Sequence, residues 1–164
     1  MKVDELNYCP RCGKTLNKSS LPLVCMSDAC GYQLWLNPIP VIAILCETAS
    51  GIILARNKAW SDNIYGAITG FIEHCEDPAD AAVRETKEEL GLTITEMNLL
   101  GVYNYADMNQ TIIAYHALVR GSIILGEELS SYKEIPLHKL KAWPFGTGLA
   151  VAELLRRHQQ SQSG

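Results

Sequence analysis

The sequence has no apolar run long enough to cross a bilayer. Its longest, Ile39 to Cys46, is interrupted by Pro40 and falls far short of the roughly 20 residues a spanning helix needs. No apolar segment follows Met1-Lys2-Val3-Asp4-Glu5, so no secretory signal peptide is expected. An excess of positive charge is also lacking: 14 Lys and Arg against 18 Asp and Glu leave a net charge of -4. Binding to nucleic acid, which relies on a basic surface, is therefore not expected. A polyanionic substrate would need its charge neutralised, and a bound cation would do so. There is no internal repeat and no low-complexity tract. Together these absences lead to the expectation of a soluble cytoplasmic protein without membrane partners.

Six cysteines are present in two groups. Cys46 and Cys75 are isolated, whereas Cys9, Cys12, Cys25 and Cys30 cluster as Cys-x2-Cys-x12-Cys-x4-Cys. In a reducing compartment such a cluster reads as a metal site rather than as disulfides. Four thiolates suit a tetrahedral structural Zn²⁺. Gly13 and Gly31 follow the second cysteine of each pair, where tight turns let backbone N–H groups approach sulfur. The second spacing is the longer one, so Met26-Ser27-Asp28-Ala29 must bulge. Arg11, Lys14 and Lys18 are partly balanced by Asp4, Glu5 and Asp28, and no aromatic-rich basic stripe accompanies them. The expected role is structural or in forming a homodimer. Asn37-Pro38 punctuates the end of this segment, which divides the chain into a small zinc ribbon, 1–36, and a main domain, 37–164.

About half of the 164 residues are apolar, enough for the core of one such domain. Strand-length apolar runs at Val41–Cys46 and Ile52–Arg56 flank an Ala49-Ser50-Gly51 turn, which predicts a hairpin. A third run, Ala67–Ile72, follows the loop around Trp60-Ser61-Asp62-Asn63. The pattern then becomes helical. Asp77-Pro78 supplies an N-cap and a first helical position, Gly91 a terminator, and Ala79, Ala81, Ala82, Val83 and Leu90 an apolar face. Strands are expected near Asn98–Tyr105, Thr111–Val119 and Tyr132–Ile135. A last helix is expected over Thr147–His158, packed through Leu149, Val151, Ala152, Leu154 and Leu155, with 159–164 frayed. The order predicts an α/β fold with a mixed sheet between helices.

The 77–90 helix contains Arg84-Glu85-Thr86-Lys87-Glu88-Glu89. At ~100° per residue, Glu85 projects between Glu88 and Glu89, and the three carboxylates share an arc of about 100°. Taken alone, this is an ordinary solvated helix face, with Arg84 and Glu88 as an i,i+4 pair. Its alternative is a site for hard divalent cations, which take oxygen ligands and relieve the repulsion between carboxylates.

The surroundings favour the alternative. From Gly70 the sequence reads Gly-x5-Glu76-x7-Arg84-Glu85-Thr86-x-Glu88-Glu89-x-Gly91-Leu92. This resembles the signature of the Nudix hydrolase family, Gly-x5-Glu-x7-Arg-Glu-U-x-Glu-Glu-x-Gly-U, where U is a bulky aliphatic. Eight of nine specified positions match, and Thr86 is the exception. The resemblance implies an α/β/α sandwich and a Mg²⁺- or Mn²⁺-dependent pyrophosphohydrolase. By the same resemblance Glu85, Glu88 and Glu89 would bind the metal, with the Gly70 carbonyl as a further ligand. Glu76 would anchor the loop or a metal shell, and Arg84 would orient a catalytic glutamate. The general base would be a helix glutamate or a later loop residue, for which Glu128 is favoured over Glu127.

The order of zinc ribbon, Asn-Pro, hairpin and signature is similar to two branches of the family: NADH pyrophosphatases and plant-type FAD and ADP-ribose pyrophosphatases. The first carries a Ser-Gln-Pro-Trp-Pro-Phe-Pro array soon after the signature. Here Tyr103-Asn104-Tyr105-Ala106-Asp107-Met108 stands in that region, and Trp143-Pro144-Phe145 comes much later, where it reads as packing. The resemblance thus implies a small nucleotide such as ADP-ribose or FAD, ahead of NADH. Tyr65, Phe71 and Tyr105 are candidates for stacking on a base, or simply core and rim. The competing reading is a non-catalytic binding module that uses the ribbon for a protein or RNA partner.

Overall fold

The computed structural model describes residues 5–61 and 63–162. Asp4 of the ribbon, Asp62 of the first long loop and residues 163–164 of the tail lie outside the described residues. The chain divides into two compact units, one ending at Pro38 and the other beginning at Ile39.

The N-terminal unit is a three-stranded antiparallel sheet: β1 (Leu16–Asn17), β2 (Leu23–Cys25) and β3 (Gln33–Leu34) in that order. Leu16, Leu23, Cys9 and Cys25 are buried, with Leu6, Cys30, Tyr32 and Leu34 packed against them. So small an apolar cluster supplies little stability by itself, which is the usual reason for a metal or disulfide staple.

The second unit is an α/β/α sandwich. Its strands are β4 (Ile39–Thr48), β5 (Gly51–Asn57), β6 (Ile68–Phe71), β7 (Thr93–Tyr105), β8 (Gln110–Arg120) and β9 (Leu129–Ile135). The sheet runs β7-β8-β4-β5-β9, with β6 also on β4. β4 is parallel to β8, and all other pairs are antiparallel. One edge of β4 is therefore shared: Glu47 and Thr48 pair with β5, while Val41 to Ile44 pair with β6. That fork brings Gly70 beside Ile42.

Strand alternation explains why the run in β4 is continuously apolar. Val41, Ala43 and Leu45 join one core with Ala150, Val151 and Leu154 of α2 (Gly148–Gln162). Ile42, Ile44 and Cys46 join another with Ala81, Ala82 and Leu90 of α1 (Pro78–Leu90). A strand buried on both faces has no polar side to alternate with.

The hairpin, α1 and the order of strands match the expectations. Asp77 caps α1 by accepting the Ala79 N–H at 2.9 Å, and Gly91 closes it at φ 69°. Three details differ. The buried face of α1 is Ala81, Ala82, Thr86 and Leu90, and Val83 is exposed; at ~100° per residue it projects about 20° beyond Leu90, at the edge of the covered arc. β7 begins at Thr93, well before Asn98, since all of it finds a partner along β8. Finally, α2 continues to Gln162, and its packed face is Ala150, Val151 and Leu154, while Leu149 and Ala152 face solvent.

Thr86, the departure from the signature, is completely buried, with its hydroxyl 3.8 Å from the thiol of Cys46. A thiol is a weak partner for a buried hydroxyl. Thr86→Val should therefore leave stability unchanged or raise it by up to about 1 kcal/mol. A denaturant titration showing a loss larger than that would contradict this account of the helix–sheet contact.

Candidate functional site

The site is built where α1 crosses β6. A Cβ placed on Gly70 would sit 2.1 Å from the Glu85 carboxyl carbon, so any side chain at position 70 would displace that carboxylate. The loop between β6 and α1 is held by Arg84. Its Nε and Nη2 donate to the two oxygens of Glu76 at 2.8 and 2.9 Å, and Nη2 also donates to the Phe71 carbonyl at 3.0 Å. Nη1 donates to Glu85 at 2.7 Å and to Glu88 at 3.1 Å. Glu76 in turn accepts the Glu73 N–H at 2.9 Å. Glu76 thereby ties the loop to α1 through Arg84.

The loop before β9 supplies a fourth acid. The Gly126 N–H donates to the Glu89 carbonyl at 2.9 Å, and a Cβ on Gly126 would lie 2.5 Å from the Glu88 carbonyl. Glu128 follows. The Lys58 N–H donates to its backbone carbonyl at 2.8 Å, and Asn57 donates to its carboxylate at 3.4 Å. The Lys58 ammonium reaches the Glu127 carbonyl. Sequence spacing gave no sign of Asn57 and Lys58, because only the β5–β9 pairing brings them here.

The electrostatics follow from this crowding. Arg84 and the Glu73 N–H hold Glu76 far down, at about 2. The same contacts, Glu76 first, push the Arg84 guanidinium up. Burial raises Glu85 against the opposing pull of Arg84. At Glu89 burial, then Glu85, Glu128 and Glu88, raise it to about 7. Glu85, Glu88 and Glu128 thus all lie near enough to act on Glu89. Their hard oxygen donors, and the repulsion at Glu89, fit a divalent cation of the Mg²⁺ kind.

The four clustered cysteines also come together, with all their sulfurs within 4.8 Å of one another. Cys12 and Cys25 are 3.5 Å apart, and Cys9 and Cys30 are 3.9 Å apart. A tetrahedron with Zn–S bonds of about 2.3 Å has S···S edges of about 3.8 Å, so the spacing fits Zn²⁺. N–H groups aimed at sulfur include those of Arg11, 3.4 Å from Cys9, and Ser27, 3.5 Å from Cys25, with Cys12 also directed at Cys9 and Tyr32 at Cys30. Gly13 and Gly31 instead supply the left-handed turns, at φ 72° and 59°. Burial raises the Cys9 thiol, but the Arg11 and Cys12 N–H groups and the neighbouring thiols bring it down to about 7. At Cys25 the Ser27 N–H lowers the thiol, yet burial and its neighbours drive it to about 12.

The remaining candidates lie around the rim. Tyr65 packs on the α2-side core, hydrogen-bonds Ser131 at 3.0 Å and lies under the Lys133 ammonium at 3.9 Å. Phe71 is exposed, and His74 and Cys75 sit in the exposed loop that Arg84 holds. Trp143 packs as expected, but Phe145 does not, and is exposed.

The raised Glu89 gives a signed prediction for metal-free protein. Its folded-state proton affinity exceeds that of an ordinary glutamate, so stability falls as pH rises from about 4.5 through about 7. Glu89→Gln should stabilise chelator-treated protein at pH 8 by on the order of 1–2 kcal/mol, allowing for solvent screening. It should make little difference at pH 4. Equal melting temperatures of variant and wild type at pH 8 would contradict the assigned repulsion.

A model of the NUDIX domain family matches residues 36–155. A NAD-capped RNA hydrolase, NudC, of Pseudomonas aeruginosa is 25% identical over 122 residues, covering 74% of this chain and 44% of the relative. The NudC of Pseudomonas putida is 23% identical over 148 residues, covering 89% of this chain and 54% of its own. The chain thus spans about half the length of these curated relatives. Among solved structures, a NUDIX hydrolase from Nitrosomonas europaea superposes with a TM-score of 0.71 at 20% identity, covering 93% of both chains. An ADP-ribose pyrophosphatase from Streptococcus suis superposes at 0.59 with 15% identity, covering 75% of this chain and 93% of its own. These neighbours share the fold, and the family match extends through both the Arg84 network and the β9 loop. This chain belongs to the NUDIX domain family.

Proposed function

We propose that this protein is a Mg²⁺- or Mn²⁺-dependent pyrophosphohydrolase. Its substrate is a nucleoside diphosphate joined to a second moiety, of the ADP-ribose or FAD kind. The observation that carries this reading is the convergence of Glu85, Glu88, Glu89 and Glu128, three of them on one helix face, with Glu89 raised by its burial and then by the other three. In this reading Glu85, Glu88 and Glu89 hold the cation, with the Gly70 carbonyl as a further oxygen donor. When bound, the cation supplies charge neutralisation for the diphosphate and acidifies a coordinated water.

The protein's own groups do the rest. Arg84 fixes the carboxylates of Glu85 and Glu88 through charge-assisted hydrogen bonds. Glu76 stays on Arg84 and keeps the loop closed. Glu128 takes the proton of the attacking water, its carboxylate held by Asn57 and its backbone by Lys58. The cysteine cluster holds a structural Zn²⁺ at Cys9, Cys12, Cys25 and Cys30.

NADH is the second substrate reading. NAD is also a nucleoside diphosphate joined to a second moiety, and the NudC relatives are named for NAD-capped RNA. Against it stands the missing Ser-Gln-Pro-Trp-Pro-Phe-Pro array.

Purified protein with Mg²⁺ should hydrolyse ADP-ribose or FAD faster than NADH or nucleoside triphosphates. No turnover of any of them would leave a non-catalytic binding module. Glu88→Gln should lower kcat by at least about 100-fold with an unchanged melting temperature, since the Glu88 side chain is largely exposed. An unaltered kcat would remove Glu88 from the metal site. Elemental analysis should find about one zinc per chain, lost in Cys25→Ser; zinc-free wild type would refute the ribbon assignment.

A further inference from the structure

The loop between β8 and β9 carries Glu128, the carboxylate proposed to accept the proton, and it is fastened along its length. Ile123 and Leu125 pack on the α1-side core. Two backbone N–H groups of the loop reach the last turn of α1: Ile124 donates to the Leu90 carbonyl and Gly126 to the Glu89 carbonyl, both at 2.9 Å. A helix ends with four carbonyls that have no partner within it, and the loop satisfies two of them. On its other side the loop is held by the residue after β5, where the Lys58 N–H donates to the Glu128 carbonyl at 2.8 Å.

Gly126 makes a very close approach to the helix. A Cβ there would lie 2.5 Å from the Glu88 carbonyl oxygen and 3.2 Å from the Glu89 Cα. Its φ lies outside the left-handed region, unlike that of Gly121, at 121°, in the same loop. Glycine at 126 therefore serves space rather than backbone freedom. An ordinary contact between a carbon and a carbonyl oxygen is about 3.3–3.6 Å, so one added methyl group must push loop and helix about 1 Å apart.

The backbone that Gly126 touches belongs to two of the three helix acids. Glu128 stands two residues further along, close enough for its charge to raise both Glu85 and Glu89. The loop acid and the helix acids are thus held together by a backbone contact, and a backbone contact is stiffer than one between long side chains.

We propose that Gly126 is a positioning residue: its contact with the backbone of Glu88 and Glu89 fixes how deeply Glu128 sits over the cation site. This rests on the reading of Glu128 as the proton acceptor. Misplacing a reacting group by about 1 Å costs on the order of 100-fold in rate. Holding the cation uses groups of α1 itself, so the loss falls on the chemical step.

Amide hydrogen exchange of the intact chain, and its kinetics with Mg²⁺ and ADP-ribose, test this. In wild type the Ile124 and Gly126 amides should be protected relative to an unstructured peptide. Gly126→Ala should lose that protection at both positions while β8 keeps its own. It should lower kcat about 10- to 100-fold, with KM and the Mg²⁺ concentration for half activation unchanged. Introduced into Glu128→Gln, the same substitution should cost nothing further, because a residue that acts only through Glu128 then has nothing left to position. Unprotected Ile124 and Gly126 amides in wild type would overturn the proposal without any variant having to fold. Protection retained in Gly126→Ala, a raised KM in place of a lowered kcat, or losses that multiply in the double variant would each overturn it too. No turnover, or Glu128→Gln at wild-type kcat, would count against the proposed activity, and the exchange pattern then judges the contact by itself.

Discussion

The guanidinium of Arg84 is the contact on which the site depends. It joins a loop acid, a loop carbonyl and two helix acids that would otherwise repel one another. Its positive charge keeps Glu76 ionised and partly offsets the burial of Glu85. Glu89 is raised by burial first and then by the neighbouring acids. The loop geometry and the lowered proton affinity of Glu76 follow from one side chain that binds three carboxylates and a loop carbonyl. Gly70 makes this possible sterically, because the Glu85 carboxylate fills the space a side chain would take.

The fold serves that contact through the forked edge of β4. By giving half of its edge to β5 and half to β6, β4 ends one hairpin and opens room for a second strand that leads into α1. The β5–β9 pairing then returns Glu128 to the same place from far along the chain. The sheet separates two apolar cores, so the acids on α1 and the aromatic rim on the α2 side are supported by different packing. Changes on one side need not disturb the other.

The N-terminal unit follows another logic. Its apolar core is a handful of residues, two of them cysteines. The four sulfurs meet at spacings near those of a zinc tetrahedron, and the divergent proton affinities of Cys9 and Cys25 reflect burial, backbone N–H groups and the neighbouring thiols. The backbone dipoles of Arg11 and Ser27 compensate only in part.

Much was legible in the residues themselves. The cap at Asp77, the stop at Gly91, the hairpin at Ala49-Ser50 and the carboxylate arc depend on local geometry, and spacing along a helix or turn sets them. So does the pairing of cysteines in two short knuckles. What local pattern did not settle was everything that needs two distant segments to meet. Val83 and Leu149 looked like core residues and are exposed, because only the sheet decides which face of a helix is covered. Phe145 read as packing, yet its turn holds it outward against Tyr105. Asn57 and Lys58 showed no signal until β5 met β9. The sequence by itself determined the donor atoms, since carboxylates and thiols at fixed spacing carry their chemistry with them. Only the tertiary structure decided which acids share Arg84 and which rings face each other, because those depend on distances between strands far apart in the chain.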